Sequence, residues 1–253
     1  MFTTNAYYSS VDAAAAWTTL AGVADPHVFV SGNDIRVPKL NKLIMAAFGV
    51  GSGGQGQGRL TSPSLRAEVR PIIEPVMGRN DGHVLPSSPQ KLYDCRQSPI
   101  SLLTDEALNA EIHSDTTAAA RQWAIISLAD GPVDPVKGEI WSVRATGATT
   151  LIAGSWVNVP ITFDETLPVG DYTLVGLRAR STNLLAARAV LIDQGPRPGV
   201  VGCNAMDDLS HPMMRRGELG AFGKFHSTTP PSFDCLAGVA DTAEVFILDI
   251  IRA

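Results

Sequence analysis

Between Trp156 and Phe163 the apolar residues Val157, Val159, Ile161 and Phe163 alternate with Asn158, Pro160 and Thr162. A period of two puts successive side chains on opposite faces of an extended chain, so this stretch reads as a strand with one buried and one wet face. Pro160 has no N–H to donate, which places the strand at a sheet edge or at a bulge. The pattern recurs. Glu139 to Arg144 sets Trp141 and Val143 on one side, and Leu167-Pro168-Val169-Gly170-Asp171 has the composition of a turn. That turn leads into Tyr172 to Arg180, where Thr173, Val175, Leu177 and Ala179 oppose Tyr172, Leu174, Arg178 and Arg180. Ala186 to Asp193 continues the series, and Ala243 to Ile251, apolar on both faces, closes it. Short strands at this spacing, separated by turn residues, predict an antiparallel sandwich or jelly roll.

Strand signals are sparser in the first half. Leu65 to Ile72 alternates Leu65, Ala67 and Val69 with Arg66, Glu68 and Arg70, which predicts a strand. Gln122 to Leu128 carries Trp123, Ala124, Ile125 and Ile126 on both faces and is stopped by Asp130-Gly131-Pro132. With Asp134 and Pro135 that group marks a boundary between two domains, 1–132 and 133–253. A short capped helix is expected from Thr104-Asp105-Glu106-Ala107, with Leu103, Ala107, Leu108 and Ile112 at helical spacing. Val11 to Leu20 and Leu40 to Phe48 are expected as two further helices, the second ending in a glycine tract. Met77 to Pro99 and Gly195 to Ser232 read as long loops that bind, cap or contact partners. The expected class is all-β with minor helices.

Charged residues make up 18% of the 253, below the roughly 25% usual for soluble domains, so much of the surface is uncharged and suited to neighbours. A net charge of -5 argues against a general or sequence-specific nucleic-acid binder, which needs a concentrated basic surface. Met1 to Ala24 lacks the basic start of a secretory leader, and the longest apolar run, Leu43 to Val50, is too short to span a bilayer. Cys95, Cys203 and Cys235 are odd in number and form no CxxC pair. They are expected as buried, inert thiols in a reducing compartment.

Gly49 to Gly58 lacks the Lys-Ser or Lys-Thr of a phosphate-binding loop and the frame of a nucleophile elbow, so it is expected as a surface loop. His27, His83, His113, His211 and His226 show no i, i+4 pair that would face two imidazoles toward one metal. Asp207-Asp208 and Asp130 with Asp134 do not follow the alternating acidic pattern of a calcium loop. No catalytic, cofactor-binding or metal-ligating residue is therefore assigned, and the chain is expected not to be an enzyme. Trp17, Trp123, Trp141 and Trp156 are expected in the core. Arg178, Arg180, Arg188 and Arg197, with Arg215-Arg216, form the densest basic group. It reads either as a solvated or ion-paired strand face or as a contact for an acidic neighbour subunit, a lipid headgroup or nucleic acid.

The stretch from Trp156 to Val201, WVNVPITFDETLPVGDYTLVGLRARSTNLLAARAVLIDQGPRPGVV, resembles the second jelly roll of the major capsid proteins of tailless icosahedral viruses with double jelly-roll coats, particularly small phages with an internal membrane. The stretch from Leu103 to Pro132, LTDEALNAEIHSDTTAAARQWAIISLADGP, is similar to the end of the first roll in such proteins. The resemblance implies two antiparallel jelly rolls side by side, 1–132 and 133–253, and a homotrimer that forms a pseudo-hexagonal capsomer of an icosahedral lattice. It further implies a virion protein made in the host cytoplasm, with other virion proteins and an internal lipid membrane as neighbours. Two other readings are open. A β-sandwich module for carbohydrate or another ligand would need clustered exposed aromatics. A jelly-roll enzyme of the cupin kind would need clustered His and Glu ligands.

Overall fold

Every residue of the strand Gln122–Ala129 is buried, and Lys42–Gly51 runs antiparallel to it, from Val50 opposite Gln122 to Lys42 opposite Ala129. Strands covered on both faces belong to the middle of a sheet. This corrects the helix expected over Leu40 to Phe48. A run that is apolar in every direction satisfies helical spacing and a two-faced strand equally, and the cross-strand ladder decides for the strand. The glycine tract is corrected at both ends: Gly49–Gly51 finish this strand and Gly56–Thr61 forms the next, while 52–55 lie outside the described residues. Packing explains two of the glycines. A Cβ on Gly49 would fall 2.1 Å from the ring of Trp123, which stands directly opposite, and one on Gly58 would fall 2.1 Å from Phe48.

The computed structural model describes residues 1–11, 15–36, 39–51, 56–68, 72–75, 77–80, 83–84, 93–114, 121–181, 183–192, 194–202, 217–242 and 244–253. The fold is almost wholly β with minor helical content, and no helix among the described residues is long and apolar enough to cross a membrane. The chain forms two units, Asn5–Pro132 and Met1–Thr4 with Val133–Ala253.

The strands of the first unit are β1 (Phe2–Ser9, entering from the other unit), β2 (Thr18–Thr19), β3 (Ala21–Gly22), β4 (Phe29–Ser31), β5 (Asp34–Arg36), β6 (Lys42–Gly51) and β7 (Gly56–Thr61). They continue with β8 (Ile72–Pro75), β9 (Met77–Asn80), β10 (His83–Val84), β11 (Tyr93–Asp94), β12 (Ile100–Ser101), β13 (Asn109–Ser114) and β14 (Gln122–Ala129). Their pairing is nested: β1 with β14, β2 with β13, β6 with β11 and β12, β7 with β8. Bonds from β14 to β6 and from β13 to β7 then gather these pairs into one sheet around β6-β14-β1 and a second in the order β2-β13-β7-β8. Both sheets line one core, with Tyr7, Leu43 and Phe48 from the first meeting Leu60, Ala110 and Ile112 from the second.

The second unit contains β15 (Trp141–Gly147), β16 (Trp156–Pro160), β17 (Thr162–Phe163), β18 (Asp171–Arg180), β19 (Leu184–Val190), β20 (Gly199–Val201), β21 (Gly223–His226), β22 (Ser232–Ala237) and β23 (Glu244–Arg252). Here β15 pairs with β23, β16 with β22, β18 with β21 and β19 with β20. The sheets run β17-β15-β23-β18-β21 and β16-β22-β19-β20. Phe233 of one stacks on Phe246 of the other at 4.7 Å between centroids, so the two sheets face each other. β16 is an edge strand with Pro160 as its last residue, as the missing N–H requires. A bulge between Leu174 and Gly176 shifts the register of β18. Its inward face is therefore Tyr172 and Leu174 before the bulge and Leu177 and Ala179 after it, which corrects the single alternation expected there. Both units repeat one scheme, first strand with last and inward from there. Within each, the two sheets stay separate, with no ladder of hydrogen bonds closing them among the described residues.

Two more expectations are corrected, and a third in part. Pro63–Ala67 is a helix and not the start of a strand, because Ser62 caps it, accepting from the Leu65 N–H at 3.2 Å, and Pro63 suits a first helical turn. The strand β8 begins at Ile72, and 69–71 lie outside the described residues. The helix expected from Thr104 is a turn followed by β13. Asp105 sits at φ 59°, in the left-handed region where a helix cannot continue, and Glu106 accepts from the Leu103 N–H at 2.9 Å. Within Val11 to Leu20, Thr18–Thr19 is strand, and 12–14 lie outside the described residues.

Candidate functional site

In the second unit Arg188 of β19 stands directly opposite Asp234 of β22, and Trp156 precedes by two residues the position, Asn158, that faces Asp234 from β16. Arg188 donates from Nε to Asp234 Oδ2 at 3.2 Å, and its guanidinium lies 4.1 Å from the centroid of the Trp156 ring. A second arginine, Arg197, approaches the same carboxylate at 3.6 Å, and Asn158 donates to its other oxygen at 3.0 Å. The Arg188 side chain is fully buried. A charge in that position is tolerable because a carboxylate, a carbonyl and an aromatic face replace its water.

The first unit carries the same arrangement in the same register. Arg59 of β7 stands opposite Glu111 of β13, and Trp17 precedes by two residues Thr19, which faces Glu111 from β2. Arg59 Nε donates to Glu111 Oε2, its guanidinium lies 4.1 Å from the Trp17 ring centroid, and Arg66 approaches the other carboxylate oxygen at 3.3 Å. Each unit thus holds a tryptophan, an in-register arginine–acid pair and a second arginine at matching places in the nested strand order. Sequence reasoning missed both clusters. The weak signal available is Trp-x-Thr and Trp-x-Asn, each opening the second strand of its unit.

The other residues singled out from the sequence are placed as follows. Trp123 is buried, while Trp17, Trp141 and Trp156 are half-buried, correcting the expectation of four core tryptophans. Three members of the basic group are ion-paired: Arg178 donates to Asp249 at 2.6 Å, and Arg188 and Arg197 share Asp234. Arg215-Arg216, Asp207-Asp208, His211 and Cys203 lie outside the described residues. His113 contacts Trp17 edge-on, and His226 bonds to Thr228 beside it. Cys95 and Cys235 are free thiols. Burial pushes Cys95 up to about 11 and Cys235 well above the usual thiol range. Among the described residues no group of three or more His, Cys, Asp or Glu is placed to hold a metal ion.

Glu244 opens β23 opposite Gly147 and is 1% exposed. Burial, and secondarily the charge of Asp241, raises its pKa above the ordinary 4.5. Because the folded value exceeds the unfolded one, the group's contribution to stability is complete below 4.5 and is lost as pH rises through the folded value. Relative to a Glu244→Gln variant, the wild-type urea midpoint is expected to climb as pH falls from neutral toward 4.5. Parallel pH profiles for the two proteins would contradict this.

A cleft of about 510 Å³ in the second unit is lined by Leu191, Ile192 and Phe225 together with Asp171, Lys224 and His226. It offers an apolar floor and groups of both charges. Comparison with family models, with curated proteins and with solved structures found no match.

Proposed function

We propose that this chain is a coat subunit, a double jelly roll that associates in threes into pseudo-hexagonal tiles and through them into an icosahedral shell. The observation that carries the reading is the nested strand pairing that occurs twice in one chain. Pairing first strand with last, second with next to last, and so inward is the connectivity of one long ribbon rolled into two facing sheets, which is what a jelly roll requires. Two similar units per chain give six similar bodies when three copies meet about a threefold axis, so hexagonal packing follows from a trimer. The matching Trp–Arg–acid clusters support the likeness of the two units at side-chain level. A low charge content and the exposed side chains of Ile152 and Ile192 supply apolar surface for contacts between copies.

Sedimentation of the purified protein, with electron microscopy of the same sample, tests this. The expected particle has three times the 26.8 kDa chain mass and a hexagonal outline. A species that stays at the mass of one chain up to the highest attainable concentration would overturn it. The second reading, a module that binds a carbohydrate or similar ligand, draws on the cleft beside Phe225. A monomer that titrates with a glycan would favour it.

A further inference from the structure

One of the two Trp–Arg–acid clusters is covered by main chain, and over the other no main chain is seated among the described residues. In the second unit Arg188 donates from Nη1 to the Thr4 carbonyl at 3.0 Å. The Thr4 N–H donates to the Arg197 carbonyl at 2.8 Å, and the Arg197 N–H donates to the Thr3 hydroxyl at 3.2 Å. An extended stretch of backbone is thus seated on the cluster, beside the edge strand β20. The residue of β20 opposite Arg188 is Gly199, where a Cβ would fall 2.5 Å from the Ala187 carbonyl oxygen.

In the first unit the corresponding edge strand is β8, and the residue opposite Arg59 is Ile73. Ile73 is 50% exposed and the Arg59 side chain 28%, while Glu111 between the two arginines is 9% exposed. Directly opposed residues share a face, so an arginine whose carboxylate partner is already in place lies next to a large bare apolar side chain on an open edge. An exposed edge of this kind is a template for another strand.

We propose that this open cluster is the seat for a second copy of the chain, which lays an extended stretch along β8 with a backbone carbonyl on Arg59 and apolar cover for Ile73. The occupant follows from the matching cluster, whose seat is taken by this chain's own Thr3 and Thr4. A backbone carbonyl fits the chemistry: Glu111 offsets one of the two guanidinium charges, and the matching cluster, two arginines on one carboxylate, takes a backbone carbonyl at this place. Because seat and occupant are different surfaces, the contact is head to tail and closes a ring when the rotation between copies allows. This rests on the coat reading and names the face through which copies meet.

The test compares wild type with Ile73→Lys and with Val169→Lys, a still more exposed apolar site in the other unit, by mass photometry across a concentration series. Ile73→Lys is expected to raise the concentration for half-assembly at least tenfold and Val169→Lys to leave it unchanged, with both melting like wild type. Gln57→Lys, on the same exposed face of β7, replaces Ile73→Lys if that variant misfolds. Hydrogen exchange should show the amides of 57–60 and 72–73 slowed in the assembled wild type relative to the diluted chain. Wild-type assembly by Ile73→Lys or Gln57→Lys, or exchange at these amides that does not change, would overturn the proposed seat while leaving the coat reading standing. A wild type that never assembles would sink both.

Discussion

Replacing Asp234 with alanine is expected to cost about 3–5 kcal/mol, since it leaves a buried guanidinium without its carboxylate. The Arg188 side chain is fully buried, and its Nε bond to Asp234 is the interaction that balances its charge. The double variant Arg188→Met with Asp234→Leu should recover a large part of that loss, because it removes the charge together with its partner. It should not recover all of it, since Arg197 then loses the carboxylate it shares with Arg188 and the Thr4 carbonyl loses the Arg188 N–H. Urea unfolding at one fixed protein concentration measures both, the fixed concentration being needed if copies associate. A loss below about 1 kcal/mol for Asp234→Ala, the range of a solvent-exposed pair, would mean that Arg188 reaches water.

The second large effect is expected at the centre of the first unit. Trp123→Ala removes a ring that is 1% exposed and should cost about 3–5 kcal/mol. Gly49→Ala attacks the same contact from the other side. Its Cβ would lie 2.1 Å from the indole, and both residues sit on central strands that cannot yield without shifting the ladder, so the cost should reach or exceed the usual ~1–3 kcal/mol of overpacking. The two changes should not add. With the indole gone the new methyl has space, and the double variant is expected close to Trp123→Ala alone. Additive losses would show that the indole and Gly49 do not share this space.

Where one face of a strand is wet, the sequence exposes it plainly. Val157 and Val159 against Asn158, and Trp141 and Val143 against Ser142 and Arg144, could be placed from alternation alone, and Pro160 marked its own edge. Where both faces are covered the signal is lost, which is why Lys42–Gly51 resembles a helix while Gln122–Ala129, bounded by turn residues, reads as a strand. The bulge at Leu174 leaves no composition signal, yet it reverses the facing of everything after it. Ser62-Pro63 was a legible cap that a competing alternation concealed. The Trp–Arg–acid clusters were out of reach for another reason. Arg59 and Glu111 are 52 residues apart and Arg188 and Asp234 46, so their meeting is a product of register and of no local pattern.

The nested pairing also sets a timetable for synthesis. In each unit the strand made first pairs with the one made last, so the outermost ladder closes a loop almost as long as the unit, the slowest kind of contact to form. The second unit needs residues 1–4 from the beginning of the chain and 244–252 from its other extremity. On a ribosome that unit cannot finish until translation has passed residue 252, so the first unit can close its two sheets while the second still lacks a central strand.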